Sequence, residues 1–506
     1  MSSLVTLQDY ADGSIFPGLS SANEIRDLVK ALSAGQDINN PGISAGSGFP
    51  LRVESLDDVL KVLTFGEDDL VLWKDVSKSP AFNTVEEHNV ITSVGNEVGV
   101  NIAEGELPEE DDSTYDRRYT IIKYMGTLRR ISHVMGIVKQ ALPDSVVAAE
   151  TRAGTLKLLR ANEIALLDNN ATADATEYDG FFAQFISGIC GYATGAASVI
   201  GTTAWFTDID TVIATGLLQD RRYLPTTQDS AAEMVEIVSE DPNHGKVTDL
   251  YLPFRGALEF SKQFYSKERG ELSSEGEVGT VATKINTPFG KVAIKPMKFN
   301  RITPLASQTG VGNASRRPAT PTLGIAGATS PALGANPGPG YGGAVQGRTA
   351  PAAVDGTGNY YFQVVACNRY GKSAPLSIGP VAVTVGDRVD LPIVDGSPAG
   401  VTTYYEIYRT LRNAVAATSA RKIFRAHRTA ISTMITDFNH FLPNCGTHYW
   451  LQRNNQSFAW KQLLPLLKVN FAQTDLTQKF GLVLYGALAM YAPRKNGVEI
   501  NVGPLT

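Results

Sequence analysis

Cysteine, histidine and charge are all scarce in this sequence. Cys190, Cys367 and Cys445 are the 3 cysteines among 506 residues. Odd in number and widely spaced, they imply no disulfide framework and point to a reducing compartment. Charged residues make up 19%, below the roughly 25% of an average chain, so much surface is neutral or destined to be covered by neighbours. The opening stretch MSSLVTLQDYADGS has no basic region followed by an apolar one, and no signal peptide is expected. One uncharged run, 181–207, is long enough to span a bilayer. Its glycines, glutamine and hydroxyl residues, without Lys or Arg anchors, predict a buried region of loop and strand in a soluble protein. Chemical signatures are missing too: there is no Walker A loop, HExxH, GxSxG or dinucleotide fingerprint.

What is present is a large apolar inventory, 43% of residues, with 47 glycines and 26 prolines as punctuation. That excludes disorder of the whole chain. At about 150 residues per domain it predicts three domains, rich in strands and turns. Residues 310–358 hold 12 Gly and 6 Pro but only four charges, and read as a linker or extended surface loop. Strand-like sequence follows to about 438, and helical patterns resume near Trp460. Residues 301–450 carry 13 Lys/Arg and 6 Asp/Glu, a net of +7, which leaves −13 for the rest of a chain of net −6. This asymmetry suggests a basic domain set into an acidic host.

The host opens with helical segments at Ser21–Leu32, with Glu24 placed for a capping box, and at 55–65. Residues 85–135 form two strand-like runs around an acidic turn, a long hairpin whose tip carries Glu104, Glu106, Glu109, Glu110, Asp111 and Asp112. Two strands bury too little surface to stand alone, so this hairpin expects to lie on its own chain or on a neighbour. Pro143 and Asp144 then open a helix at about 145–168. Its apolar set is Val146, Ala149, Ala153, Leu156, Leu159 and Leu167. Further helices are expected at 208–219, 228–238 and 255–266, and strands at 247–252, 279–286 and 290–294, with GVEINV as the closing strand.

Candidate sites are few. His440, Cys445 and His448, with Asp437 nearby, have spacings that could ligate zinc, but Pro443, Asn444 and Gly446 favour an ordinary turn. Asp208 and Asp210 read as carboxylates at a helix start, where the dipole favours them. Arg421, Lys422, Arg425 and Arg428 could meet nucleic acid. Their alternation with Ile423 and Phe424 favours a solvated strand face. The acidic run 104–112 is either a solvated tip or a dock for a basic partner. No cofactor, catalytic group or metal site is expected.

The order of arm, long hairpin, long helix, mixed α/β region and closing strand resembles the HK97-fold major capsid proteins of tailed bacteriophages. Supporting strings are EYDGFFAQF, KVTDLYLPFRGALEFSKQF, INTPFGKVAIKP and LYGALAMYAPRKNGVEINV. The resemblance covers about 350 of the 506 residues. It implies an α+β capsid fold divided into an N-terminal arm (1–75), an E-loop hairpin (76–135) and a spine helix with P- and A-domains (136–300). An inserted segment (301–450) and a return to the A- and P-domains (451–506) complete it. The arm starts almost at Met1, so no scaffolding extension is expected before it. Within the insertion, GNYYFQVVACNRYGKSAPLS (358–377), YYEIYRT and TMITDFN resemble strands of an immunoglobulin or fibronectin-III-like sandwich, although the usual core Trp is absent.

The resemblance further implies a non-enzymatic subunit of an icosahedral shell. It would form a homo-oligomer of hexameric and pentameric capsomers, assembled in the host cytoplasm and resident in the virion. Scaffolding, portal, vertex and decoration proteins would be partners, with non-specific contact to packaged dsDNA and none to membrane. An encapsulin-like compartment or a carbohydrate-binding adhesin are the alternative classes. Inter-subunit contacts are expected from Glu109, Glu110, Asp111, Asp112, Arg117, Arg118, Arg129 and Arg130. The basic insertion is expected to meet the acidic tip of a neighbouring hairpin, and deletion of 310–440 is expected to leave a chain able to form shells unless the insertion bridges capsomers.

Overall fold

The computed structural model describes residues 66–95, 101–107, 110–137, 145–191, 198–263, 282–300, 303–324, 330–335, 338–398, 400–472 and 476–503. The chain divides into two compact units. The larger, Thr64–Met135 with Val147–Thr506, carries the architecture below. The smaller, Met1–Leu63 with Gly136–Val146, is almost wholly outside the described residues, as are the expected helices at 21–32 and 55–65 and the cap at Pro143 and Asp144.

One sheet runs in the order Lys78–Pro80, Phe458–Asn470, Thr477–Met490, Lys123–Ser132. Its long central pair replaces the helical pattern expected after Trp460. Pro465 explains the difference: it lacks an N–H and clashes inside a helix, whereas a strand accommodates it at an irregularity. The register of this pair shifts between Gln462 and Leu464 and again between Leu464 and Leu467, around that proline. Leu482 and Leu484 are buried while Val483 and Tyr485 are half-exposed, the two-residue alternation of a sheet covered more on one face.

The helix Val146–Asp168 lies over this sheet. A Cβ at Gly154 would meet Leu482 Cδ1 at 2.6 Å, so a glycine permits the close approach. The buried residues are Gly154, Leu158, Asn162, Glu163, Ala165, Leu166 and Leu167, a face turned away from the expected set, of which only Leu167 is buried. Buried Glu163 accepts hydrogen bonds from the amides of Leu72 (2.8 Å) and Trp73 (2.7 Å), tying down the short helix Val71–Asp75. Burial raises the pKa of this carboxyl against those amide bonds.

A second, six-stranded mixed sheet has the order Leu218–Asp220, Gly497–Val502, Gly446–Leu451, Asp249–Pro253, Gly290–Met297, Lys284–Thr287. GVEINV, read as the closing strand, is an inner strand here, and every residue of it is buried. The helices Phe181–Ile189, Thr203–Ala214, Gln228–Ser239 and Phe254–Lys262 accompany this sheet. Two of them occupy the uncharged run 181–207, so its described parts are largely helical rather than loop and strand. No helix among the described residues is long and apolar enough to cross a membrane.

Residues 311–437 build two further antiparallel sheets. In one, Tyr404–Arg409 lies between Arg421–His427 and Gly358–Asn368, which also pairs with Leu376–Val383 and Gly371–Lys372. In the other, Asp387–Val394 pairs with Thr322–Leu323, Ala332–Ala335 and Ser432–Asp437. The Gly/Pro-rich stretch is thus not a free linker. It supplies three short strands and the fully buried Tyr341, whose hydroxyl donates to Asp437 Oδ2 at 2.7 Å.

Candidate assembly surfaces

The hairpin is narrower than the sequence suggests. Val85–Ser93 pairs with Thr114–Ile121, and the run after it breaks at buried Ile122 so that Lys123–Ser132 joins the first sheet instead. Alternation gives the ribbon two faces. The inner one holds His88 and Arg118, directly opposite each other. His88 packs edge-on against Tyr491 at 4.7 Å. Burial, with the nearby positive charges of Arg118 and Lys461, pushes the His88 imidazole down to about 4. The outer face carries Ile91 opposite Tyr115, 58% and 69% exposed, and Val85 opposite Ile121. The base of the ribbon therefore lies on its own chain, while its outer face and both of its long edges have no partner among the described residues.

The candidate contact residues fall into two groups. Glu110, Asp111 and Asp112 are exposed at the tip, and Glu109 lies outside the described residues. The four arginines do not form one cluster. Arg117 pairs with Glu87 across the ribbon, and Arg118 pairs with Asp116 at 3.1 Å. Arg129 reaches Glu150 of the long helix at 3.2 Å, and Arg130 is exposed on the first sheet.

The strand Arg421–His427 is not a solvated basic face. Arg425 lies 3.2 Å from Asp168 at the end of the long helix and 3.0 Å from Glu177. Lys422 reaches Asp168 at 2.5 Å, and Arg428 reaches Asp395 at 2.6 Å. Buried Glu406 accepts from Lys372 at 2.6 Å and from the Tyr408 hydroxyl at 2.9 Å. Burial alone would raise the Glu406 carboxyl, but Lys422, Lys372 and Arg425 outweigh it and hold it well below the usual carboxylate range. At Asp168, too, Arg425 and Lys422 overcome burial and lower the pKa. A cleft of about 400 Å³ opens beside this cluster, which is how Asp168 stays 48% exposed while ringed by charge. Aromatic contacts reinforce the seam: Phe206 of the helix Thr203–Ala214 meets Phe424 at 5.4 Å and Phe438 at 4.9 Å.

The remaining sequence candidates separate. Thr202, not an aspartate, caps the helix Thr203–Ala214, whose start lies five residues before the expected one; Asp208 and Asp210 sit inside it. Asp210 instead bonds His440 Nε2 at 2.8 Å. His448 Nδ1 meets Thr226 at 2.9 Å and lies 3.5 Å from Glu499, whereas Cys445 Sγ faces the Pro443 carbonyl at 3.7 Å. No group of three His, Cys, Asp or Glu residues able to hold a metal occurs among the described residues. Sequence reasoning missed the pairing of the basic strand with Asp168, Glu177 and Glu406, which only the tertiary fold brings together. It also missed the outer face of the ribbon, although the spacing of Ile91 and Tyr115 about the turn was readable.

No family model matches the chain. The major capsid protein of Staphylococcus phage K is 22% identical over 481 residues, 93% of this chain and 93% of that protein. The major capsid protein of Staphylococcus phage S25-3 aligns with the same figures. Among solved structures, the capsid of Myoviridae phage XM1 covers 89% of this chain and 97% of its own at 6% identity, with a TM-score of 0.40. The SrpI encapsulin complex of Synechococcus elongatus PCC 7942 covers 90% and 95% at 9% identity, with a TM-score of 0.38.

Proposed function

We propose that this chain is the structural subunit of a bacteriophage capsid shell. The observation that carries the reading is the end-to-end correspondence with phage major capsid proteins, 93% of both chains for that of phage K. A shared domain grafted onto an unrelated host would match over a fraction of that length. This also favours a genome-enclosing shell over an encapsulin-like compartment or an adhesin. The geometry fits the role: a two-stranded ribbon with an uncovered apolar face is unstable in isolation and gains by lying on another molecule.

Within this reading the chain adopts the HK97-type arrangement. The ribbon of Val85–Ser93 and Thr114–Ile121 is the E-loop, narrower than the expected 76–135, the helix Val146–Asp168 is the spine, and the six-stranded sheet with its helices belongs to the A- and P-domains. Of the expected 301–450, residues 311–437 form an immunoglobulin-like insertion, a reading supported by their two antiparallel sheets, while Gly446–Leu451 belongs to the six-stranded sheet. The subunit works without catalysis, as hexameric and pentameric capsomers of an icosahedral shell assembled in the host cytoplasm. Scaffolding, portal, vertex and decoration proteins join it, and packaged dsDNA touches it without sequence preference. Ribbons laid over neighbours make many modest contacts, which closed symmetry multiplies. Microscopy of the purified full chain tests the reading: shells or capsomers support it, and monomers at every concentration and salt contradict it.

A further inference from the structure

Most of the insertion's positive charge is spent internally. Arg348, Lys372, Arg388, Arg409, Lys422, Arg425 and Arg428 each have a carboxylate within 4.0 Å. Arg316, Arg317 and Arg369 have none among the described residues, and Arg316 and Arg369 stand together at one corner. The Arg316 guanidinium lies 5.1 Å and the Arg369 guanidinium 4.7 Å from the centre of the Tyr370 ring. Arg369 also donates to the Tyr370 hydroxyl at 2.6 Å. Asn368 fixes the corner: its Oδ1 accepts from the amides of Tyr370 (2.9 Å) and Gly371 (3.1 Å), and its Nδ2 donates to the Arg316 carbonyl (2.9 Å). Gly312 closes it from the other side, with φ +92° and space for no Cβ, which would meet the Tyr370 carbonyl oxygen at 2.4 Å.

Two exposed guanidiniums held on one aromatic ring repel each other unless an anion answers them. The same chain carries that anion. Glu104, Glu106, Glu110 and Asp112 are exposed at the ribbon tip, and no ion pair links them to a cation among the described residues. Among the described residues no ion pair joins tip and corner either. We propose that the Arg316–Tyr370–Arg369 corner docks the acidic ribbon tip of a second copy of this chain. This rests on the shell-subunit reading and narrows the insertion's contact to two arginines and a tyrosine. Guanidiniums suit carboxylates because their planar donors pair with both oxygens, and rim charges of this kind steer association.

The test is charge reversal in the full chain. Arg316→Glu with Arg369→Glu, and separately Glu110→Lys with Asp112→Lys, are expected to cut shell yield at low salt about tenfold, since like charges then face each other. All four together are expected to restore it, and the wild-type dependence on salt is expected to be lost in the neutral variant Arg316→Gln with Arg369→Gln. Unchanged thermal unfolding checks that each variant folds. If wild type forms shells while both reversals do so equally well, or the combination fails to rescue, the docking is overturned and the shell reading stands. Loss of duplex DNA retention by the arginine variants alone, with tip variants neutral, overturns it in favour of a phosphate contact. A wild type that never forms shells overturns both.

Discussion

Arg425 and Asp168 meet at 3.2 Å, joining the strand Arg421–His427 to the last residue of the long helix. A residue read as part of a solvated face is thus a bolt between the sheet that holds Tyr404–Arg409 and the long helix packed on the first sheet. Excision of 310–440 is therefore expected to fail as a neutral deletion. It strips Asp168 and Glu177 of their cations and uncovers Phe206, so the shortened chain should be recovered as aggregate rather than as shells.

Glu406 gives the seam its sharpest single test. Replacement by Gln leaves Lys372, Lys422 and Arg425 facing a neutral group, an expected loss of about 3 kcal/mol, the usual scale for breaking a buried charge network from one side. Chemical denaturation of wild type and Glu406→Gln measures it.

The same carboxyl predicts an acid response. Its folded pKa is depressed below the ordinary 4.5, so its stabilisation is complete above that value and declines as pH falls below it. The stability difference between wild type and Glu406→Gln should shrink below pH 4.5 and stay constant at neutral pH.

His88 acts over a higher window. Its imidazole is held down at about 4 in the fold against 6.5 when free, so the fold favours the neutral ring. The stability this lends is present above pH 6.5 and is lost as pH falls toward 4. Protection of the Val85–Ser93 amides, their exchange measured against the intrinsic rate at each pH, should fall across that range, and His88→Phe should abolish the fall.

Gly486 has no room for a side chain. A Cβ there would meet Trp460 Cζ2 at 2.5 Å, and Trp460 is fully buried against Trp73 at 5.2 Å and Tyr178 at 5.3 Å. Gly486→Ala should destabilise by about 1–3 kcal/mol through overpacking, read as a lowered Tm.

Local signals carried the regular elements, and contacts remote in sequence carried the rest. The helix ending at Asp168, the helix Gln228–Ser239 and the ribbon were legible because capping residues, alternation and turn composition are local. The pair Phe458–Asn470 and Thr477–Met490 was misread because runs of Leu and Ala serve helix and strand alike, and Pro465 was the overlooked discriminator. The helix face was misjudged because Gly154 and Asn162, neither apolar by pattern, are buried by packing against Leu482 and by the Tyr178 hydroxyl, respectively. The ion pairs of Arg425 and Lys422 were invisible because their partners lie far away in sequence. Composition gave the net +7 of 301–450 but not that most of it is already answered inside the chain.

The ribbon's outer face tests the central claim most directly. Ile91→Thr with Tyr115→Thr changes two exposed, opposed side chains, so thermal unfolding should move by no more than about 0.5 kcal/mol. Electron microscopy of this variant beside the wild-type chain is the decisive measurement. Wild type is expected to form closed shells and the variant folded, unassembled subunits or capsomers; a wild type that stays monomeric, or a variant that forms shells equally well, would contradict a ribbon that assembles through its outer face.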